Sequence, residues 1–512
     1  MAEFSKISLN GTTYTVKDAY AREIVKKYVI PESYGAVGDG ATDDSAALAS
    51  ASEDGIILSN GKTYYVGSSI TMKNGSVGAN YKLASDATIV ATESAEWRNN
   101  TFSLQTGATV SGRGVWMLVV RNAPGSVIED NEFYGSSNCL YLDRINSGKV
   151  VNNYFHDIPQ TAAGSGGNGY GVLTVECKDI EISGNDFVNV ARHSIYISHD
   201  DTSTLSENTN IHHNNFSWDA NVSGNTTGFE TTIMVRPTKN IIIHHNIFSS
   251  LQTGVTFTHQ EILGTVVGTS NATVSDNTFN SISNNVTSRK YDGIINIVEG
   301  TYTVPSVDGL IIARNTCNDC LSPILRGRII KNTFVRDNII MNNPSDKVYE
   351  IFIPDNSTTQ HPIDLHIINN SFDYVSAYWL HYSGTISSKT SFGDLEIIGN
   401  SINSSYFMDC PTNTAFDKYT VKDNVISVDH GDFYTNNFDP GYVIASGNAS
   451  NTPLSWRASF TASKILDWDN VLARPDISLF GTNIRRGATI EGRDGYLYHV
   501  NINGSLTKIA NA

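Results

Sequence analysis

An all-β chain wound as a parallel β-helix is what this sequence predicts, and three observations predict it. The first is a repeat of Ile or Val, two residues, Asn, one residue, then Phe, Ile or Cys. It recurs with its asparagines at Asn131, Asn153, Asn185, Asn214, Asn246, Asn277, Asn315, Asn338, Asn370, Asn400 and Asn424. The second is the spacing, 22 to 38 residues from one Asn to the next, the period of a solenoid. The third is alternation: apolar residues flank each Asn with polar ones between them, as in short half-buried strands. Such a strand cannot bury its inner face alone, so coils must stack and equivalent residues align. A ladder of Asn amides, hydrogen-bonded from coil to coil at roughly 4.8 Å, is the expected result.

The bulk composition agrees. Of 512 residues, 40% are hydrophobic and only 17% charged, which suits one long solenoid with small end pieces better than several globular domains. A net charge of −16 argues against nucleic acid as the main partner, although a local basic groove can still hold an anionic sugar. No apolar run reaches the ~20 residues needed to span a membrane. The start, MAEFSKISLNGTTY, has no apolar signal-peptide core, so synthesis in a cytoplasm without the usual export is expected. Five cysteines (Cys139, Cys177, Cys317, Cys320, Cys410) make no disulfide framework. Cys317 and Cys320 form a CxxC, but Cys317 fills the inward slot that Phe187, Phe216, Phe248 and Phe279 occupy elsewhere, so a packing thiol is expected rather than a metal ligand.

In chain order, residues 1–30 read as an attachment or oligomerisation element. NGTTYTV (10–16) is a turn and strand, and KDAYAREIVKKY (17–28) a short helix ending before Pro31. In YGAVGDGATDDSAALASA (34–51), glycines permit tight turns and Thr42, Asp43 and Asp44 stand as N-terminal caps before an alanine-rich helix. That stretch resembles the G-A-x-G-D-G-x-x-D-D-x-x-A-[Ile/Leu] opening of the pectate-lyase-like superfamily, as seen in phage tailspikes. GIILSNGKTYYVGSSI (55–70) looks like that family's first coil. The resemblance implies a right-handed helix plugged at its open end by the alanine-rich helix, with Asp43 and Asp44 as structural caps. It implies a homotrimer attached to a phage tail or baseplate protein through the N-terminus, located in the virion tail. It also implies a polysaccharide cleft along one sheet face. The ladder stops after Asn448, and a C-terminal module (452–512) ends in RRGATIEGRDGYLYHVNINGSLTKIA, which resembles small β modules that close such spikes. The helical solenoid is thus expected over 31–451.

Candidate chemistry lies on a third strand in each coil. GVLTVE (171–176), SIYISH (194–199), TIMVR (232–236), GVTFTH (254–259) and GIINIVE (293–299) align so that Glu176, His199, Arg236, His259 and Glu299 end in nearly one slot. Nearby loops add Asp200, Asp201 and Glu261, and strand entries add Arg192, His193, Glu230 and Asp292. A column of acids, histidines and an arginine is out of character for a β-helix, whose structural slots take Asn, Ser, Thr and aliphatics. Stacked charges perturb one another and suit glycosidic cleavage. Glu176, Glu230, Asp200 and Glu261 are the candidate acid/base carboxylates. Arg236 would bind a sugar carboxylate or steady developing charge, and His199 or His259 would orient or shuttle protons, acting as base in a lyase. Tyr196 and Trp218 are candidates for stacking on sugar rings, and Asp292 and Glu299 for lining the cleft. No cofactor is expected; calcium, which the family sometimes uses, has only Asp200 and Asp201 as candidate ligands.

Two further signals carry less weight. Ile211-His212-His213-Asn214 and Ile243-His244-His245-Asn246 lie one coil apart and read as a surface imidazole ladder rather than a metal site. GSGGNG (164–169) precedes a strand and not a helix, so it offers no phosphate site. The sequence therefore predicts a tailspike-like depolymerase of a bacterial capsule, exopolysaccharide or teichoic acid. A non-enzymatic adhesin and a free bacterial lyase are the rivals.

Overall fold

A computed structural model describes residues 6–9 and 12–15, and residues 27–219 apart from 110–113, 162–167 and 201–203. It describes residues 231–450 apart from 263–264, 283–292, 299–304, 328–329, 343–346, 353–362, 374, 384–389, 392, 410–413, 416, 434–441 and 447. Beyond these it describes the short strands Ser455–Trp456, Lys464–Ile465, Thr489–Glu491, Tyr496–Val500 and Leu506–Asn511. The chain divides into two compact units, residues 1–200 with 204–229 and residues 201–203 with 230–512.

Each unit contains an Asn ladder. In the first, Nδ2 of Asn100, Asn131, Asn153 and Asn185 donates to Oδ1 of the next rung at 2.9 Å, ending on Asn214. In the second, the same bond runs from Asn246 through Asn277, Asn315, Asn338, Asn370, Asn400 and Asn424 to Asn448 at 2.8–3.0 Å. Each Oδ1 also accepts the backbone N–H of the preceding rung, as Asn185 does from Asn153 at 2.8 Å. The other Nδ2 proton goes to a main-chain carbonyl, as from Asn153 to Ile128 at 2.9 Å. Buried amides are thereby satisfied on both sides. The first ladder starts one rung earlier than the repeat suggests, at Asn100, where Ser76 Oγ supplies the terminal donor at 3.0 Å.

The residue before each rung makes the corner. Asn99, Asp130, Asn152, Gly184 and His213 in the first unit, and His245, Asp276, Arg314, Asp337, Asn369, Gly399 and Asp423 in the second, all have φ between 45° and 70°. Asn, Asp, Gly and His tolerate that left-handed region best, which accounts for every residue type found there except Arg314.

Three sheets follow in each coil, all parallel. In the first unit, strands entering the Asn corner pair from Glu96–Arg98 through Val127–Glu129, Lys149–Val151 and Lys178–Ser183 to Ser206–His212. Strands leaving it pair from Thr101–Leu104 through Glu132–Tyr134 and Tyr154–Ile158 to Asp186–Val190. The third sheet pairs Leu118–Arg121, Asn138–Asp143, Tyr170–Val175 and His193–Ser198. Inward-facing Phe102, Phe133, Phe155, Phe187 and Phe216 stack at 4.6–5.1 Å between ring centroids, and burial of each ring contributes about 1.5–3 kcal/mol. In the second unit Cys317 takes that slot between Phe279 and Ile340. Its thiol and that of Cys320 are free and buried, and burial pushes both pKa values up, Cys320 to about 11. Cys410 lies outside the described residues.

At the N-terminus, Lys6–Leu9 pairs antiparallel with Thr12–Thr15. Of the predicted helix over 17–28, residues 17–26 lie outside the described residues. Its last residue is corrected: Tyr28–Val29 is a strand paired with Ile56–Leu58, because β-bonding to the first coil outcompetes an isolated turn of helix. The alanine-rich helix spans Ser45–Asp54 and buries Leu48 and Ala51, packing against the strands Ile56–Leu58 and Ile70–Met72. Asp43 accepts from the N–H groups of Ser45 at 3.0 Å and Gly67 at 3.1 Å, and Asp44 from those of Val37 and Gly38 at 2.6 and 3.1 Å. Asp43 caps the helix; Asp44 instead pins the glycine turn before it. Both are structural, as expected. Among the described residues no helix is long and apolar enough to cross a membrane.

Candidate functional site

Charge gathers at the C-terminal ends of the third-sheet strands of the first unit. Register places Arg121 beside Asp143, Asp143 beside Val175 and Val175 beside Ser198. One residue further on, Asn122, Arg144, Glu176 and His199 therefore share the next slot. Asn122, Arg144 and Glu176 have φ of 52°, 54° and 53°. For Arg and Glu that conformation is strained, on the order of 1 kcal/mol each, so these positions hold their side chains at a cost Asn or Gly would avoid.

Asp143 is the anchor. Its side chain is only 1% exposed, and its Oδ2 accepts from Arg121 Nε at 2.6 Å and Arg144 Nη2 at 2.7 Å. Its Oδ1 is buried with no hydrogen-bond partner among the described residues. The other end of the Arg144 guanidinium, Nη1, lies 3.9 Å from Glu176 Oε2 and 3.9 Å from Asp200 Oδ2. Those two carboxylate oxygens are thus no farther apart than twice that distance. Glu176 is buried and Asp200 exposed. The outer face of the same strands carries Tyr141, whose hydroxyl pKa is raised by burial and then by the charges of Asp143 and Asp200.

His199 is 3% exposed, and its Nδ1 bonds the Asp200 carbonyl oxygen. A carbonyl only accepts, so Nδ1 carries a proton, and Nε2 is the nitrogen that can give or take one. That nitrogen is buried with no partner among the described residues. A buried imidazole held in one tautomer, beside two carboxylates bridged by one guanidinium, can move a proton at a glycosidic centre. Tyr196 is buried against Tyr170 and His193, with ring centroids 5.7 and 5.1 Å apart. Trp218 is half-buried after the strand Asn215–Ser217.

The second unit contrasts with this. Its third-sheet strands, Ile233–Val235, Val255–Thr258 and Ile295–Val298, form as the sequence predicts. Their register corrects the single slot: Val235 pairs with Phe257, so Arg236 lies one residue beyond the paired position and His259 two. Since alternate residues face opposite ways, Arg236 and His259 do not share a slot. Arg236 Nη1 instead donates to Gln260 Oε1 at 2.9 Å. His259 is partly buried, and burial lowers its pKa against a raising hydrogen bond at the Val298 backbone. Glu230, Asp201, Asp292, Glu299 and the side chain of Glu261 lie outside the described residues.

Sequence reasoning overlooked Arg121, Tyr141, Asp143 and Arg144. The signal was present: NCLYLDR (138–144) and LVVR (118–121) are the third strands of the two coils preceding GVLTVE, and running the column back would have found them.

No family model and no curated protein matches the chain. Among solved structures, the catalytic unit of a thermostable α-1,3-glucanase from Streptomyces thermodiastaticus superposes with a TM-score of 0.55 at 12% identity, over 76% of this chain and 68% of that one. The chain has the right-handed parallel β-helix fold. Weaker matches are the tailspike of an E. coli bacteriophage solved with a pentasaccharide (TM-score 0.47, 10% identity, 86% of this chain and 80% of that one) and PfbA, a surface adhesin of Streptococcus pneumoniae (0.43, 14%, 94% and 98%). At such identities the likeness is one of fold.

Proposed function

We propose that this protein is a tailspike-like receptor-binding protein that binds a bacterial surface polysaccharide and hydrolyses its glycosidic bonds in the first unit. The observation that carries the reading is Arg144, which faces Glu176 and Asp200 with one nitrogen while Asp143 holds it in place. Two carboxylates about 5–9.5 Å apart are what hydrolysis of a glycosidic bond uses, one as acid and one as base or nucleophile. Glu176, buried, is assigned the role of proton donor, and Asp200, exposed, that of base or nucleophile. His199 Nε2 can accept a proton from water or substrate. With Glu176 carrying the proton it donates, Asp143 and Asp200 balance the two guanidiniums; that leaves no spare positive charge to steady a carbanion and suits hydrolysis better than elimination.

A trimer attached to a phage tail through residues 1–30 completes the proposal, with the solenoid over 31–451 and a C-terminal module over 452–512. The adhesin reading has one observation in its favour: Arg121 and Arg144 are both about half-exposed and could hold sugar hydroxyls without any chemistry. The test is incubation of the full chain with capsule, exopolysaccharide and teichoic acid from candidate hosts. New reducing ends without ultraviolet absorbance from unsaturated sugar are expected, and Glu176→Gln and Asp200→Asn should each lose them at least a hundredfold. Absorbance of unsaturated products would make it a lyase; binding with no change in polymer size would make it an adhesin. Undiminished cleavage by both variants would place the chemistry elsewhere.

A further inference from the structure

The two His-His corners have a geometry that an imidazole ladder does not require. In the first unit, Nδ1 of His212 lies 2.8 Å from Nδ1 of His213, the rings at 85° to each other. In the second, Nδ1 of His244 lies 2.7 Å from Nδ1 of His245, the rings at 83°. The same arrangement is thus built twice. Its backbone cause is visible: His213 and His245 take the left-handed corner, with φ of 55° and 54°, which turns each ring back on that of the preceding strand residue. His212 and His244 are half-buried, while His213 and His245 are exposed. In the first unit, Glu181 Oε1 lies 3.5 Å from His212 Nε2. A carboxylate there favours the proton on His212 Nε2, the usual outer support of a metal-bound imidazole; the proton between the two Nδ1 atoms then belongs to His213, whose ring gives it up at Nδ1 and takes the Nε2–H form as a metal binds.

We propose that each His-His corner is a bidentate site for a divalent ion of square-planar preference, with Cu(II) the best fit. At metal–nitrogen distances of about 2.0–2.1 Å, nitrogens this close subtend an angle of roughly 85° at the metal, whereas a tetrahedral ion would need them about 3.3–3.4 Å apart. The near-right angle matches the tetragonal geometry of Cu(II). The two imidazole nitrogens are the protein ligands, and each ion braces its corner.

The test is Cu(II) titration of the full, untagged chain after chelator treatment, at pH 7.5, followed by paramagnetic resonance. Two bound equivalents with nitrogen hyperfine coupling from imidazole are expected, lost at pH 5 as the rings protonate. His213→Asn and His245→Asn keep a residue suited to the corner, and each should remove one equivalent, with at least a tenfold loss of affinity at its site. If either variant folds poorly, His212→Gln and His244→Gln replace them. Equal binding by wild type and the double variant, or a spectrum without nitrogen coupling, overturns the proposal.

Discussion

The ladder is the same in both units; the strand ends are not. Asn131 to Asn214 and Asn246 to Asn448 repeat one pattern of amide bonds. At the ends of the third-sheet strands, the first unit brings Arg121, Asp143, Arg144, Glu176 and Asp200 into one ion-paired group. The second pairs Arg236 with a neutral amide and sets His259 one residue out of step. Interior slots are dictated by burial, which tolerates few residue types. Strand-end slots hold no rung and no stacked ring and are freer to differ, and register decides whether their charges meet.

The largest effect should come where the units agree. Asn153→Ala and Asn315→Ala each orphan several buried backbone and amide groups, at ~1–3 kcal/mol per group. Each should lower stability by about 3–5 kcal/mol in denaturant unfolding, alike in both units; a large effect in only one would break the equivalence. Asp143→Asn comes next. It leaves two guanidiniums without their shared carboxylate and should cost about 2 kcal/mol, less than a fully buried pair because both arginines reach solvent. Gln260→Ala, its counterpart beside Arg236, should shift stability by no more than about 0.5 kcal/mol.

Smaller still is the release of strain. Glu176→Asn relaxes a left-handed corner and should raise stability by about 0.5–1 kcal/mol while abolishing cleavage. Arg314→Asn in the second unit also loses a two-pronged ion pair with Asp276 at 2.7 Å, so its gain should vanish. A stabilised, fully active Glu176→Asn would remove Glu176 from the site.

The mildest test is a pH slope. Burial holds the folded His259 pKa below its ordinary value, so as pH falls the unfolded chain takes up the proton first. Its contribution to stability is complete above about pH 6.5 and is lost as pH falls through the folded value. His259→Gln should flatten the unfolding midpoint between pH 7 and pH 5; an unchanged slope would mean another group sets it.

By itself the sequence determined the solenoid, the rungs, the inward slot of Cys317 and the structural use of Asp43 and Asp44. Burial enforces the first three locally, so each of them leaves a periodic trace in residue type, while Asp43 and Asp44 show in a single glycine-rich turn before a helix. It also singled out Glu176, His199 and Asp200 as candidates, because charge breaks that period. Tertiary structure decided which charges meet. Asp143 and Arg144 gain their role only from pairing across coils 22 and 32 residues away in the chain, and Arg236 loses its partnership with His259 to a shift of one residue. Such a shift turns a side chain to the other side of a strand, and the spacing of asparagines carries no record of it.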